Sequence, residues 1–177
     1  EFSGTQERKL HPRLSVSVMR LWFIYMALTI VMAGLMLLNG VGIVEALCLS
    51  MSTLSTGGFV TNSAGLSMIG QGGLAVITVF MILSGVNVAV LYKVFTFRWK
   101  DLNRTEEMKT YLGVLLMAAL VCTLAFFFVG NDFVYSLSYS LFHIASTLST
   151  CGYFLPRPEH WSFLVSTITF VLIIIGA

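Results

Sequence analysis

STLSTGGF at residues 52–59 and STLSTCGY at residues 146–153 are two copies of one motif, identical at six of eight positions. Each copy begins within a short apolar segment that carries interspersed Ser and Thr, at residues 43–54 and 133–148. Each short segment lies between two longer apolar stretches. The order of long stretch, short segment, motif and long stretch therefore occurs twice, and this internal repeat describes the whole architecture.

The longer stretches have the length and composition of membrane-spanning helices, which need about 20 mostly apolar residues. They are residues 22–38, 73–91, 111–129 and 161–177. Hydrophobic residues make up 57% of the 177 residues and charged residues 10%, whereas about 25% of a soluble domain is charged. A chain with so little charge cannot cover a water-facing surface, so the sequence predicts an integral membrane protein. The two short segments are below spanning length and are expected to be re-entrant or buried.

The basic residues indicate the orientation in the membrane. Nine of the ten Lys and Arg residues lie in two clusters, one ending at Arg20 and one beginning at Lys93, and the tenth is Arg157. Cytoplasmic loops are enriched in Lys and Arg, so both clusters are expected to be cytoplasmic and an even number of spans must separate them. Each short segment is therefore expected to enter from the outer side and return there.

These observations predict an all-α membrane protein built of repeated units of helix, re-entrant half-helix, filter loop and helix, as in potassium channels. Because the chain starts without Met and ends inside an apolar run, we expect it to be a piece of a longer protein. The expected parts are a cytoplasmic segment at 1–20, a pore repeat at 21–92 (half-helix 43–54, filter 56–59), a cytoplasmic basic loop at 93–110, and a second pore repeat at 111–177 (half-helix 133–148, filter 150–153, truncated last helix).

Both motifs have the composition expected of a filter for a monovalent cation. A glycine lets the backbone adopt angles closed to other residues, and carbonyl oxygens of an extended chain can replace the hydration shell of K⁺. Each half-helix would point its C-terminal end, which carries about half a negative charge, toward the ion. A Ca²⁺ or Mg²⁺ site would bring Asp or Glu, and neither motif contains one. The candidate filter residues are Thr56, Gly57, Gly58, Phe59, Thr150, Cys151, Gly152 and Tyr153.

The side chains in the two motifs are expected to have different roles. Gly57 and Cys151 share one repeat position, which is understandable if both contribute backbone carbonyls rather than side chains. Thr56 can add hydroxyl or carbonyl oxygens. The aromatic residues Phe59 and Tyr153 are expected to pack outward against the surrounding helices.

Four further polar residues are candidates for a role at the pore mouth or in the structure. Glu45 and Asp132 lie near the starts of the half-helices, where an acid either caps the helix or attracts cations to the outer mouth. Asn87, within the second span, must face protein rather than lipid, either in an interhelical hydrogen bond or lining a cavity. His143 is expected to be a packed, hydrogen-bonded residue rather than a ligand.

Taken together, these motifs resemble the Trk/Ktr/HKT superfamily of potassium transporters, and most closely its bacterial Trk-H-type membrane subunit. The stretch KLHPRLSVSVMRLWFIYM (9–26) is similar to the start of the second of that family's four repeats, and LSGVN (83–87) is similar to its last helix. STLSTCGY, followed by Trp161, resembles the filter of the third repeat. IIIGA (173–177) resembles the helix that precedes the family's intramembrane gating loop.

The resemblance implies four repeats in a pseudo-fourfold arrangement around one pore, of which this chain would carry the second and third. It implies K⁺ uptake in the bacterial inner membrane by a homodimer with one pore per protomer, gated by a cytoplasmic ring of nucleotide-binding regulatory subunits. This chain has no phosphate-binding Gly-rich loop, so we expect it to bind K⁺ and no nucleotide. No nucleic-acid partner is implied. Cys151 and Tyr153 depart from the family's commoner small residue and Phe, for which we expect modest effects on selectivity.

Several other functions were weighed against K⁺ uptake. A tetrameric two-helix potassium channel would carry TVGYG, and a water or glycerol channel would carry Asn-Pro-Ala; the sequence contains neither. A channel for other monovalent cations (Na⁺ and K⁺) is the main alternative, followed by a non-transporting membrane scaffold. An intramembrane enzyme would need a polar cluster at membrane depth, and the four spans contain no Asp or Glu. We therefore do not expect an enzyme.

Overall fold

The computed structural model describes residues 12–61, 65–86, 106–128, 132–155 and 163–176. Within these ranges the regular structure is helical and no β-strand occurs. Asn87, Arg157 and residues 93–105 of the basic loop lie outside the described ranges, as do the first eleven residues.

The first repeat comprises α1 (Pro12–Leu38), α2 (Ile43–Leu54), a 3₁₀ turn (Gly65–Met68) and α3 (Gln71–Ser84). Helix α1 begins at a proline, which is favoured in the first helical turn because its missing N–H has no partner there anyway. After its last residue, Leu38, the chain reaches Gly40 in the left-handed region, with φ +83°. The Val41 N–H donates to the Met36 carbonyl at 3.2 Å. This C-terminal cap turns the chain back into α2.

The second repeat comprises α4 (Glu106–Phe128), α5 (Phe133–Leu148) and α6 (Phe163–Gly176). The short helices α2 and α5 have the bounds that the sequence predicts for the half-helices. Two helices extend beyond the predicted apolar runs. Helix α1 also covers residues 12–20, within the expected cytoplasmic segment, and α4 begins at Glu106, inside the expected basic loop. The reason is that no helix-breaking residue separates these polar turns from the apolar runs that follow them.

Two helical stretches, Leu21–Leu38 and Glu107–Phe128, are long and apolar enough to cross a membrane. The described parts of α3 and α6 are apolar but shorter, at 14 residues each. Their predicted spans, 73–91 and 161–177, extend into residues outside the described ranges.

The two half-helices are packed between longer helices in the same way. Helix α2 contacts α1 and α3, α5 contacts α4 and α6, and α3 also packs on α5 and so joins the repeats. The apolar core around α2 contains Met32, Leu49 and Met81, and it also includes Cys151 and Tyr153 from the second motif. The second motif is therefore built into the core of the first repeat.

Candidate functional site

The two candidate filter loops, loop 1 (residues 56–59) and loop 2 (residues 150–153), share one backbone pattern. The first residue of each loop is left-handed, with φ +54° at Thr56 and +59° at Thr150. The third residue is also left-handed, with φ +68° at Gly58 and +77° at Gly152, whereas the second residue is not. This pattern explains why the third position is Gly in both motifs and why the second accepts either Gly57 or a cysteine.

At the end of each half-helix, the first threonine of the loop makes the same backbone hydrogen bond. The Thr56 N–H donates to the Thr53 carbonyl at 3.1 Å, and the Thr150 N–H donates to the Thr147 carbonyl at 3.2 Å. The Ser52 carbonyl accepts from the Gly57 N–H at 2.7 Å. These bonds satisfy carbonyls in the last helical turn and hold each threonine in a conformation that β-branched residues rarely adopt.

One serine in each half-helix bonds the far end of its own loop. The Ser52 hydroxyl accepts a hydrogen bond from the Phe59 N–H at 2.6 Å. The equivalent serine, Ser146, donates its hydroxyl proton to the Tyr153 carbonyl at 2.8 Å. Because a serine hydroxyl both donates and accepts, the same residue type makes the same connection with opposite polarity.

We expect Ser52→Ala and Ser146→Ala to lower the thermal midpoint of the purified full-length protein by a few °C each, because each removes one hydrogen bond worth about 1 kcal/mol. The matched control is Ser138→Ala, whose exposed hydroxyl bonds only the Val134 carbonyl of its own helix. Thermal unfolding in detergent measures all three variants. An equal shift for the control would mean that the serine-to-loop bonds contribute nothing of their own.

The peptide planes fix the direction of three loop carbonyls. A trans peptide holds its C=O and N–H on opposite sides, and no described peptide is cis. The Gly58 carbonyl therefore points away from the Ser52 hydroxyl that accepts the Phe59 N–H. The Thr56 carbonyl likewise points away from the end of α2, and the Cys151 carbonyl away from α5, where the Gly152 N–H donates to the Ser146 carbonyl at 3.3 Å.

The loops contain a set of backbone oxygens without hydrogen-bond donors. The carbonyls of Phe59 and Tyr153 accept bonds from hydroxyls. In contrast, no N–H or O–H in the described ranges donates to the carbonyls of the first three residues of either loop. These carbonyls belong to Thr56, Gly57, Gly58, Thr150, Cys151 and Gly152. Carbonyl oxygens in this state are available to a cation.

The two loops lie against each other. A Cβ on Gly58 would overlap the carbonyl oxygen of Cys151, so the close approach requires glycine here. The equivalent position in loop 2, Gly152, has open space where a Cβ would lie, since no described atom comes within 4 Å. One side of loop 2 thus faces loop 1, and the side around Gly152 is open within the described part of the chain.

Two side chains of loop 2 hydrogen-bond to the first repeat, which the sequence did not predict. The Tyr153 hydroxyl lies 3.2 Å from the Thr53 hydroxyl and 3.4 Å from the Phe59 carbonyl, to which it donates. The Cys151 thiol donates to the Thr53 carbonyl at 3.4 Å. Tyr153 is buried, at 2% exposed, whereas Phe59 is 79% exposed. Tyr153 packs among the surrounding helices, as expected, whereas Phe59 is exposed in the described part of the chain. The hydrogen bonds from Tyr153 and Cys151 to the first repeat were not expected; the difference between the motifs at these two positions was the available signal.

The acidic candidates lie at the half-helix ends that are remote from the loops. Glu45 is in the first turn of α2, and Asp132 is at the N-cap of α5 without a side-chain capping hydrogen bond. The favourable interaction of an acid with the helix N-terminus remains for both. His143 is buried, as expected of a packed residue. Its Nε2 lies 3.1 Å from the Thr169 hydroxyl, and its ring stacks on Tyr139.

Comparisons with known proteins identify this architecture. No family model matches the chain. The chain is 25% identical to the Trk system potassium uptake protein TrkH of Salmonella typhimurium, over 97% of this chain and 36% of the relative. It is 29% identical to TrkG of Escherichia coli strain K12, over 95% of this chain and 35% of the relative. The crystal structure of the potassium transporter TrkH from Vibrio parahaemolyticus superposes with a TM-score of 0.85 at 22% identity, covering 92% of this chain and 36% of that one.

The chain resembles the Trk-type potassium transporters. The resemblance drawn from its motifs is thereby confirmed, and so is the all-helical, potassium-channel-like membrane fold. The chain spans about a third of the length of the Trk relatives that it matches. The match runs through both motifs, so the Trk-type fold accounts for the order of long helix, half-helix and loop in each repeat.

Proposed function

We propose that this chain forms part of the pore of a Trk-type potassium uptake system, with loops 1 and 2 in the selectivity filter. One observation carries the proposal: six backbone carbonyls without donors lie on two loops of the same left-handed pattern, each at the C-terminal end of a half-helix. The relatives named as potassium uptake proteins support potassium as the ion.

The chemistry follows from the oxygens that the loops offer. A dehydrating K⁺ exchanges water for the carbonyls of loops 1 and 2. The exposed hydroxyl of Thr150 and the half-buried one of Thr56 add oxygens at the half-helix ends, where the helix dipole contributes partial negative charge. No carboxylate lies in either loop, so the negative field is weak. A weak field binds a monovalent ion without holding it too tightly to leave.

The arrangement of the two glycines supports a ring of more than two loops. Gly58 lies against the Cys151 carbonyl, and the equivalent Gly152 faces open space within the described residues. A third loop packed on Gly152 as loop 2 is packed on Gly58 would continue the ring. We propose that this chain supplies the second and third of four repeats in pseudo-fourfold order.

The wider assembly is proposed from the resemblance, and its orientation from the distribution of Lys and Arg. It comprises a homodimer in the bacterial inner membrane, with the N-terminus and the 93–110 loop cytoplasmic and the filter loops facing outside. A cytoplasmic ring of regulatory subunits binds nucleotide, which this chain does not bind. The relatives are named as transporters, in agreement with a protein that is not an enzyme. Glu45 and Asp132 raise the local cation concentration at the outer mouth, and Asn87 supports the pore from the second span.

The test is rescue of a cell that lacks its own potassium uptake, grown at low external K⁺ and expressing the full-length protein that contains this chain. We expect growth and Rb⁺ uptake, competed by K⁺ and not by Na⁺ in equal amount. Gly152→Ser, which adds a side chain at a left-handed glycine, should insert and fail to rescue. Equal competition by Na⁺ would favour the monovalent-cation channel, and an inserted protein without flux would favour the scaffold.

A further inference from the structure

The two motifs differ at the positions of Cys151 and Tyr153. The side chains of these two residues hydrogen-bond to the first repeat. We propose that Cys151 and Tyr153 are positioning residues of an inter-repeat latch, formed with Thr53 and the carbonyl of Phe59, which holds loop 1 in its ion-binding conformation. The inference deepens the proposed function and rests on it, because it assigns part of the cation selectivity of loop 1 to side chains of loop 2.

The direction of each hydrogen bond in the latch follows from counting protons. The Thr53 hydroxyl donates its only proton to the Leu49 carbonyl at 2.7 Å. The Tyr153 hydroxyl must therefore supply the proton for its contacts, and its single proton is shared between the Thr53 oxygen at 3.2 Å and the Phe59 carbonyl at 3.4 Å. Phenylalanine at this position would leave both oxygens without that donor.

The latch is dry. Thr53 is fully buried, and Cys151 and Tyr153 are 3% and 2% exposed. A buried acceptor that loses its donor cannot turn to water instead, so the loss costs more than it does at a surface. The burial also leaves little room for the tyrosine ring to move while its hydroxyl is bonded.

The side-chain hydrogen bonds of the latch run from loop 2 to the first repeat, and loop 1 offers no equivalent groups. The residues of the first motif at the same positions are Gly57, which has no side chain, and Phe59, which has no hydroxyl. Loop 1 therefore has no groups with which to make the equivalent bonds to another repeat. The far end of each loop is bonded by the serine of its own half-helix. Within the described residues, loop 1 has in addition the bond from Tyr153 of the other repeat.

The latch affects the position of the Gly58 carbonyl, which is a proposed ion ligand. Both polar groups of Phe59 are bonded, its N–H to the Ser52 hydroxyl and its carbonyl to Tyr153. The Gly58 carbonyl shares a peptide plane with the Phe59 N–H, so holding Phe59 also fixes the direction of the Gly58 oxygen. Releasing the Phe59 carbonyl removes one of the two bonds that hold Phe59, so the Gly58 oxygen is then positioned by the Ser52 bond to the Phe59 N–H alone. We expect the looser residue to relax the geometry on which ion discrimination depends.

Tyr153→Phe in the full-length protein removes one proton donor and keeps the ring. We expect it to lower the preference for K⁺ over Na⁺ in Rb⁺ uptake competition by about tenfold, the effect of one lost buried hydrogen bond, at an unchanged amount of inserted protein. The matched control is Tyr135→Phe on α5, whose ring is half exposed and lies outside the latch. Wild-type discrimination in Tyr153→Phe would overturn the proposal.

A pair of threonine variants tests the same contact if Tyr153→Phe fails to insert. Thr53 and Thr147 occupy the same repeat position, and each donates to the carbonyl four residues earlier. Within the described residues, only Thr53 of this pair is hydrogen-bonded to the other repeat. We expect Thr53→Val to reduce discrimination and Thr147→Val to retain it. Equal effects of the two substitutions would assign the loss to the half-helices and overturn the latch.

A readout that does not depend on transport separates failure of the latch from failure of the proposed function. We expect Tyr153→Phe and Thr53→Val to raise the rate at which N-ethylmaleimide modifies Cys151 by about tenfold, as followed by mass spectrometry of its peptide. The buried Cys122 of α4 should keep its wild-type rate, which excludes general unfolding. Faster modification in a protein that conducts no K⁺ would retain the latch and refute the proposed function. An unchanged rate in a protein that conducts K⁺ would refute the latch alone.

Discussion

Gly58→Ala is expected to abolish K⁺ uptake while the protein still inserts. The added Cβ would overlap the Cys151 carbonyl oxygen, and φ at this residue is +68°, where an L side chain is strained. Neither obstacle can be relieved by rotating a side chain, because the opposing atom belongs to the backbone. We expect uptake at least about a hundredfold below wild type, corresponding to roughly 3 kcal/mol for the displaced carbonyl and the strained residue together. Rb⁺ uptake, normalised to the amount of inserted protein, measures it.

Two other glycines serve as controls for this variant. Gly34→Ala on α1 places its Cβ where no atom lies within 4 Å, so we expect uptake close to wild type. Gly57→Ala meets only the side chains of Ser55 and Phe59 as close contacts, at 3.3 Å, and loop 2 already has a side chain at this position. We expect it to fall between the other two. Loss of insertion in Gly58→Ala, or uptake equal to that of Gly34→Ala, would count against a filter role for loop 1.

The second large effect is expected from replacing both left-handed threonines by glycine. Thr56 and Thr150 have φ of +54° and +59°, a conformation that costs an L residue about 1–2 kcal/mol and costs glycine almost nothing. The double variant Thr56→Gly, Thr150→Gly should therefore relieve strain in the folded protein. It also frees each loop to sample other conformations, so we expect about a tenfold or greater loss of K⁺ over Na⁺ discrimination.

Single Thr56→Ala and Thr150→Ala variants separate stiffness from the lost hydroxyl, because alanine keeps a Cβ and hence the left-handed penalty. We expect the alanine variants to lose less discrimination than the glycine double variant. Rb⁺ uptake in competition with Na⁺ gives discrimination, and thermal unfolding in detergent reports the strain. Equal discrimination in the alanine and glycine variants would mean that the hydroxyls, rather than the backbone, determine it.

The sequence predicted the parts of the site that depend on local patterns. The half-helices were bounded correctly because Gly42 and Asp132 precede their apolar runs and a serine follows each. Repetition of one motif also identified both loops. The starts of α1 and α4 lie before the predicted apolar runs, because apolar composition indicates where lipid surrounds a helix and not where the helix begins.

The contacts between the repeats could not be predicted in the same way. Tyr153 and Thr53 are 100 residues apart, and Cys151 and Thr53 are 98 apart, so no periodicity connects them. The left-handed threonines also oppose local propensity, since β-branched residues disfavour positive φ. The hydrogen bond from each threonine N–H to the carbonyl three residues earlier, at the end of the half-helix, holds this conformation.

The second position of each loop, glycine in one copy and cysteine in the other, has a consequence for how such a pore can change over time. In a pore assembled from identical chains, any substitution enters every copy of the filter at once, and the pore must tolerate it at all of them. Here two loops lie on one polypeptide, and the backbone at this position is outside the left-handed region, so it does not require glycine. A new side chain such as that of Cys151 therefore occurs in one loop while the other keeps its glycine. After duplication, the two loops can therefore diverge at this position. A side chain such as that of Cys151 then makes a contact that the other loop lacks, while both loops still present backbone oxygens to the ion.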